Sequence, residues 1–548
     1  MGKGLDNELG RLADGVSGIL GTKTINFIFK FDIPKNKKIT YANIVCDEKP
    51  LKQEKYRIRL TIGGDKLDYS HETASPTTSL TETKILINSV ISDAHIGARF
   101  MTIDIKDFFL NTILKDPEYM KIHSKYFSIK FRNLYNLHTK IDADGYVYCA
   151  IRKGMYGLKQ AAILAYQQLA GNLSKHGYMP LQGSTGLWGH SSRKTKFALC
   201  VDDFGVKHFT MDDAMHLINA LESSYTISRD WKGEDYCGVR LHWKYDKGYV
   251  DINMPSYVNK ALMKYQHTPP KRQQHAPMQW NRPDYSKKRQ YVENEPESKK
   301  LDAKETRIIQ SKCGTFLYYG RAVDPTILVA LNEIARDQAK PTMKTSQQLS
   351  WLMDYLVTYP NATLRFHAGS MQLKVESDAS YLSVKEAKSR IGGHFYLDTK
   401  NNPTTTNSPI LTECSTIKNV VCSAAEAECG ALFHNCQKAI ILRRTLEALG
   451  HPQEITEVVT DNKTANSFVT NTMKQKKSKT WDMRWNWLRE KNQKKIFKTK
   501  WEKGESNKAD LFTKLHSPTH MKDKRGEYIL NGFSVSEIVN KVLKKRKL

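Results

Sequence analysis

Along the 548 residues, apolar side chains recur with two different periods, and the changes of period mark out the elements. Tyr56 to Gly63 alternates basic and apolar residues, as a half-exposed strand does. Arg99 to Ile105, Phe197 to Val206 and Tyr249 to Met254 are apolar, β-prone runs, whereas Thr81 to Ala94, with Thr and Glu near its start, reads as a helix. Together they predict a mixed body of strands and helices reaching to about Met263, preceded by a short strand at Thr24 to Phe31 and a lysine-rich loop. Residues 268 to 302, charged and interrupted by prolines, predict a linker. TILVALNEIARDQ and SQQLSWLMDYLV carry apolar residues at three and four spacing and predict a helical block to about Tyr359. Past Ala368 strands return with LKVESDAS, a Gly392-Gly393 turn and HFYLD, followed by a helix from Ser423 to Gly450.

The segment FALCVDDFGV sets Asp202 and Asp203 between two apolar runs, which predicts a hairpin with the aspartate pair as its two-residue link. Such a link ordinarily takes Asn-Gly or Asp-Gly, because its central residues need positive φ. Adjacent like charges beside apolar strands are costly unless cations neutralise them, so the pair marks a site. Upstream, in MTIDIKDFFLN, Asp104 ends an apolar strand, with Asp107 and Phe109 three and five residues on. A strand-end aspartate facing a carboxylate hairpin supplies three acidic ligands, a set that suits two Mg²⁺ about 3.5 to 4 Å apart.

Charge adds a partner. Lys and Arg number 85 against 57 Asp and Glu, a net +28 spread along the chain, which points to a polyanion such as a nucleic-acid backbone. The nine cysteines form no CxxC pair, so neither a zinc site nor a disulfide framework is expected, and a reducing compartment is. Cys422, Cys429 and Cys436, seven apart, read as one small-residue packing face of a helix. With no apolar leader and no run of 18 apolar residues, neither secretion nor membrane insertion is expected.

The order DIKDFFLN, MYGLKQAAILAYQQL at 155 to 169, then CVDDF resembles the reverse transcriptase of copia-type long-terminal-repeat retrotransposons. The resemblance implies that Asp104, Asp202 and Asp203 are catalytic metal ligands and that Phe109 excludes a ribose 2′-hydroxyl. It also implies that Gln160 helps position the nucleotide, while Arg57 or Arg59 reaches its phosphates. Cys200 stands where the family has the tyrosine of YVDD, removing a ring from the hairpin.

The last third carries acids in a β-β-β-α-β-like order: Asp378 in VESDASY, Glu426 or Glu428 in SAAEAECGAL, Asp461 in VVTDN and Asp510 in KADLFTK. Strand-end aspartates with a helical glutamate can again cradle two metals, here for attack by water on a phosphodiester. The set resembles the ribonuclease H domain that follows reverse transcriptase in the same elements. That resemblance favours Glu428, and residues 426 and 428 lie about 200° apart on a helix, so only one can face the metals. In SKTWDMRWNWLRE, Thr480 replaces the family's usual histidine, and Trp481, Arg484, Trp485, Trp487 and Arg489 either grip a hybrid or pack a core.

The expected architecture is α+β and multidomain: a right-hand polymerase of fingers, palm and thumb, then a helical connection and an RNase H-like α/β domain. The boundaries drawn are 1–50 leader segment, 51–267 polymerase, 268–370 linker and connection, 371–515 nuclease and 516–548 basic tail. The resemblance implies RNA template, DNA primer, RNA/DNA hybrid and dNTPs as partners, no membrane, other retroelement polyprotein products, and Mg²⁺ at two ions per site, with Mn²⁺ as a substitute. It also implies a cytoplasmic, particle-associated protein, and the terminal KKRKL fits nuclear import. No protease signature or integrase module occurs, as in the last part of a polyprotein or a truncated copy. Two other readings compete: a decayed or domesticated copy that binds nucleic acid without catalysis, and a cellular RNA-binding protein whose acidic motifs are coincidental.

Overall fold

The computed structural model describes residues 2–48, 56–184, 186–280, 298–399, 407–470 and 479–531. The Arg57 side chain, residues 281–297 of the linker, Thr480 and Trp481 side chains, and KKRKL lie outside this description.

At the centre is a six-stranded antiparallel sheet in the order 227–230, 99–105, 203–208, 196–200, 187–190, 178–180. One face, with Met101, Ile103, Phe197, Leu199, Phe204 and Val206, packs on Leu169, Leu217 and Leu221 of the helices Ala161–Lys175 and Met211–Glu222. The other, with Phe100 and Ala198, meets Leu86 and Val90 of the helix Leu80–Ser92, which opens on a Ser79/Glu82 capping box. Burial on both faces is why these strands are continuous apolar runs and not alternating ones.

Residues 2–48 do not stand apart as a leader. The helix Gly2–Leu12 buries Leu5, Leu9 and Leu12, one stripe of an amphipathic helix, in the same core as Leu60, Met120 and Ile151. Ile25–Ile28 and Ile39–Glu48 are strands of a second sheet, ordered 25–28, 146–153, 113–123, 39–48, 56–62.

Nor do structural seams fall at 267 or 515. A third sheet joins 235–236, 239–244 and 249–253 to Ala362–His367 from beyond the helical block, and Leu530–Asn531 closes its edge. The block itself is the helices Ala303–Ala322, Leu328–Arg336 and Met343–Thr358. Arg525, 2% exposed, anchors the final described segment to it: its guanidinium lies 2.9 Å from the fully buried Asp324 and donates to Thr326 Oγ1 and Tyr355 Oη, each at 2.7 Å.

The fourth sheet is ordered 411–416, 388–397, 373–384, 456–460, 497–501, antiparallel through its first three strands and parallel through the last two, with the helix Ala424–Ala448 against it. The α+β multidomain class expected from the motifs is the one observed. Gly392 and Gly393 make no turn; they sit inside the strand Lys388–Leu397. A Cβ on Gly392 would come 2.5 Å from the Ala509 carbonyl, and one on Gly393 2.5 Å from Asn435 Oδ1, so close approach requires glycine there. Positive φ falls instead at Glu386 and Ala387, in the connection between the two strands. Cys422 precedes the helix cap Ser423 and is exposed, leaving Cys429 and Cys436 as the buried part of the supposed cysteine face.

The helix Leu80–Ser92 links the first sheet to the segment that follows the helix Ala424–Ala448. Lys207, 2% exposed, donates to Ser89 Oγ at 2.6 Å and pairs with Asp93 at 2.5 Å; Ser89 in turn bonds His451 Nε2 at 2.6 Å, just past the helix Ala424–Ala448. Among the described residues no helix is long and apolar enough to cross a membrane.

Removing Arg525 leaves Asp324 charged and buried. Arg525→Ala is expected to cost about 3 to 5 kcal/mol, read as a lower urea midpoint of tryptophan fluorescence; an unchanged midpoint contradicts the anchoring role.

Candidate active sites

The register of the central sheet builds the first site. Asp203 lies directly opposite Asp104, and across the hairpin opposite Cys200. The link is therefore Val201-Asp202, one residue earlier than the apolar pattern predicts, and Asp203 opens the second strand. Val201 holds φ at 63°, a left-handed conformation that a β-branched side chain rarely adopts. The Asp202 carbonyl accepts from Ile105 N–H at 3.1 Å, tying the turn to the strand that carries Asp104.

Three carboxylates then crowd one another. Burial, followed by repulsion from Asp202 and Asp104, pushes Asp203 up to about 7. Asp202 is also raised, by burial first and then Asp104, with Arg59 opposing. Arg59 is thus the cation that faces the carboxylates; its guanidinium lies 4.9 Å from the centre of the Tyr156 ring, and its Nε is buried without a hydrogen-bond partner. Phe109 meets the same ring edge-on at 5.4 Å. Arg59, Tyr156 and Phe109 are brought together, and Tyr156, within MYGLKQ, is a member the sequence reading missed. Gln160 is 5% exposed, and its amide donates to Glu118 Oε1 at 3.1 Å. Asp107 pairs with Arg11 of the first helix and does not join the trio.

The second site is more compact. One ligand oxygen from each of Asp378, Glu428 and Asp461 lies within 4.8 Å of the others. Asp378 projects from the strand Leu373–Val384, Asp461 follows the strand Thr456–Thr460, and Glu428 sits in the opening turns of the helix Ala424–Ala448. Glu426 is occupied as a cap, accepting from Cys422 N–H at 2.8 Å, and the helical phase turns Glu428 alone toward the aspartates. Glu428 Oε2 is buried with no hydrogen-bond partner. Burial and then the Asp461 and Asp510 charges push Asp378 up to about 7, and burial with Asp378 raises Glu428 well above the usual range.

Asp510 lies at the rim, near enough to act on the other three, with Lys514 at 2.5 Å from its carboxylate and His516 at 3.7 Å. Thr513, fully buried, donates to Asp378 Oδ2 at 2.8 Å. Neither Thr513 nor His516 stood out in KADLFTKLH, because a short threonine or histidine carries no periodicity. Of the aromatic cluster, Trp485 is 2% exposed and packs on Phe468 at 5.1 Å, and Trp487 meets Phe433 at 5.1 Å; both serve the core and not a hybrid grip. Oxygen-only donors with an orphaned buried carboxylate oxygen fit a hard divalent cation.

Asp203 and Asp378 hold protons in the folded, metal-free chain that an unfolded aspartate releases near pH 4. Their contribution to stability is full below about pH 4 and lost as pH rises through about 7. The metal-free melting temperature is therefore expected to fall between about pH 5 and about pH 8, with Mg²⁺ raising it again at the upper pH. A melting temperature flat across that range, with or without Mg²⁺, contradicts the crowding.

Residues 28–279 match the family model of reverse transcriptase (RNA-dependent DNA polymerase). The chain is 21% identical over 496 residues to the retrovirus-related Pol polyprotein from transposon TNT 1-94 of Nicotiana tabacum, a match covering 88% of this chain and 35% of that polyprotein. It is 23% identical over 297 residues to the transposon Ty5-1 protein of Saccharomyces cerevisiae, covering 54% of this chain and 88% of the yeast protein. Among solved structures, the foamy viral protease-reverse transcriptase in complex with RNA/DNA hybrid aligns with a TM-score of 0.44 at 13% identity, over 85% of this chain and 51% of that one. LC11-RNase H1 aligns with a TM-score of 0.21 at 15% identity, over 28% of this chain and 97% of that one. The chain thus spans about a third of the length of the tobacco polyprotein. Residues 28–279 thus match the reverse transcriptase family model, and the chain as a whole is similar to transposon Pol polyproteins.

Proposed function

We propose that this chain is an active RNA-directed DNA polymerase that extends a DNA primer on an RNA template and cuts the RNA strand of the resulting hybrid. The observation that carries the reading is the pairing of Asp104 with Asp203 at a strained two-residue turn, an arrangement with a structural cost and no packing benefit. A second, separate carboxylate centre at Asp378, Glu428 and Asp461 supports the nuclease activity.

In the first site Asp104, Asp202 and Asp203 would hold two Mg²⁺, and in the second Asp378, Glu428, Asp461 and Asp510 would do so. When bound, the ions offset carboxylate repulsion and make a 3′-hydroxyl or a water a better nucleophile. The remaining work belongs to the chain. Arg59, held over Tyr156, presents a fixed positive charge for the phosphates of a dNTP. Phe109, braced against the same ring, fills the space where a 2′-hydroxyl would sit. Thr513 fixes one oxygen of Asp378 and so orients the other. The distributed excess of 28 positive charges favours backbone binding without base reading. All seven acids are in place, which weighs against the reading of a decayed copy.

Two variants separate the activities. Asp202→Asn with Asp203→Asn is expected to lower Mg²⁺-dependent primer extension roughly a thousandfold or more while hybrid cutting persists. Glu428→Gln is expected to abolish cutting, seen on a labelled RNA strand, while extension persists. A folded, hybrid-binding parent that extends nothing overturns the reading. Phe109→Ala is expected to raise ribonucleotide incorporation relative to deoxynucleotide by roughly ten- to a hundredfold, measured as the ratio of kcat/KM values; an unchanged ratio removes Phe109 from sugar selection.

A further inference from the structure

The strand Lys196–Cys200 leads into the aspartate turn, and side chains alternate along it, so Cys200 projects on the same side as Ala198. That side receives a second turn, between Asp235–Tyr236 and Val239–Lys244. Tyr236 Oη donates to the Ala198 carbonyl at 2.9 Å. Gly205, the register partner of Ala198, leaves room for the Tyr236 ring, whose atoms a Cβ there would meet at 2.9 Å. The seat is close because both strands yield to it.

Cys237 begins this second turn at φ 46°, followed by Gly238 at φ 77°. Its carbonyl is held by the Tyr318 hydroxyl from the helix Ala303–Ala322, and its side chain is near enough to that of Cys200 for each thiol to bias the ionisation of the other. Both cysteines are reduced and partly accessible. Two neighbouring thiols, each fixed by a separate turn, can be joined where their Cα atoms lie within about 7 Å.

We propose that Cys200 and Cys237 form an oxidisable dithiol, a modification site for low-molecular-weight disulfides such as oxidised glutathione, whose bridged form locks the catalytic hairpin to the neighbouring turn. One cysteine sulfur attacks the glutathione disulfide, forming a mixed disulfide and releasing one glutathione. The second cysteine sulfur attacks the bonded cysteine sulfur and releases the other glutathione. Two protein thiols and one glutathione disulfide thus give one protein disulfide and two glutathione thiols, the protein sulfurs being oxidised by two electrons. The bridge constrains the strand end from which Asp202 and Asp203 project, so primer extension falls. That consequence rests on the polymerase reading; the bridge does not.

The test uses the full chain treated with oxidised glutathione, alkylated, digested without reductant and read by mass spectrometry. The expected result is a cross-linked peptide pair containing Cys200 and Cys237, lighter by two hydrogens than the two thiol peptides together. Exposed Cys46 and Cys422 should instead carry glutathione, which verifies the oxidant. Free alkylated Cys200 and Cys237, or separate glutathione adducts on both, would overturn the proposal. In parallel, extension should fall severalfold on oxidation and return with dithiothreitol, whereas Cys200→Ser combined with Cys237→Ser should give equal extension with and without oxidant. A bridged chain that extends normally would overturn the locking of the hairpin, and an untreated chain that never extends would count against the polymerase reading while leaving the mass result decisive for the bridge.

Discussion

Repulsion between carboxylates governs this molecule. Seven acids are gathered into two groups, and in each the members come from elements far apart in sequence, so no local preference assembles them. Only a rigid surround can hold like charges at such range out of water. The first group is held by a sheet packed on both faces, and the second by the change from antiparallel to parallel pairing around the strand Leu373–Val384. Around each stand a few residues that steady it: Arg59, braced on Tyr156, offsets part of the charge at the first, and Thr513 orients Asp378 at the second.

Much of this was legible in the chain. Flanking apolar runs located the aspartate hairpin, and capping logic explains why Ser423 takes Glu426 and leaves Glu428 for the site. The misreadings share one cause, contact with something distant. The turn moved by one residue because strand pairing with Asp104 outweighs the φ preference of Val201. Gly392 and Gly393 resemble a turn until Ala509 and Asn435 press against them. The opening helix was overlooked since its three leucines are separated by charged residues, although their spacing was available to be read.

The two sites also share a mechanical connection. The strand Asp203–His208 starts at a carboxylate of the first site and nears its end at Lys207, which is tied through Ser89 and Asp93 to His451. His451 closes the helix Ala424–Ala448, whose opening turns carry Glu428. One strand and one helix, joined by a buried lysine, run from one acidic centre to the other. The 25-residue helix alone is about 37 Å long at 1.5 Å per residue. Such a link transmits position more faithfully than a flexible connection would.

The third sheet has a temporal meaning. Among the described residues, Ala362–His367 gains its outer neighbour from Leu530–Asn531, and Asp324 of the helical block gains its buried counterion from Arg525. During synthesis the entire fourth sheet leaves the ribosome while that edge lies open and Asp324 lacks its counterion. The N-terminal core can condense early, but the joint between the halves sets last, so a growing chain passes through a long interval with an unpaired strand edge. Within that interval the nascent chain is open to mispairing with its neighbours on the same messenger.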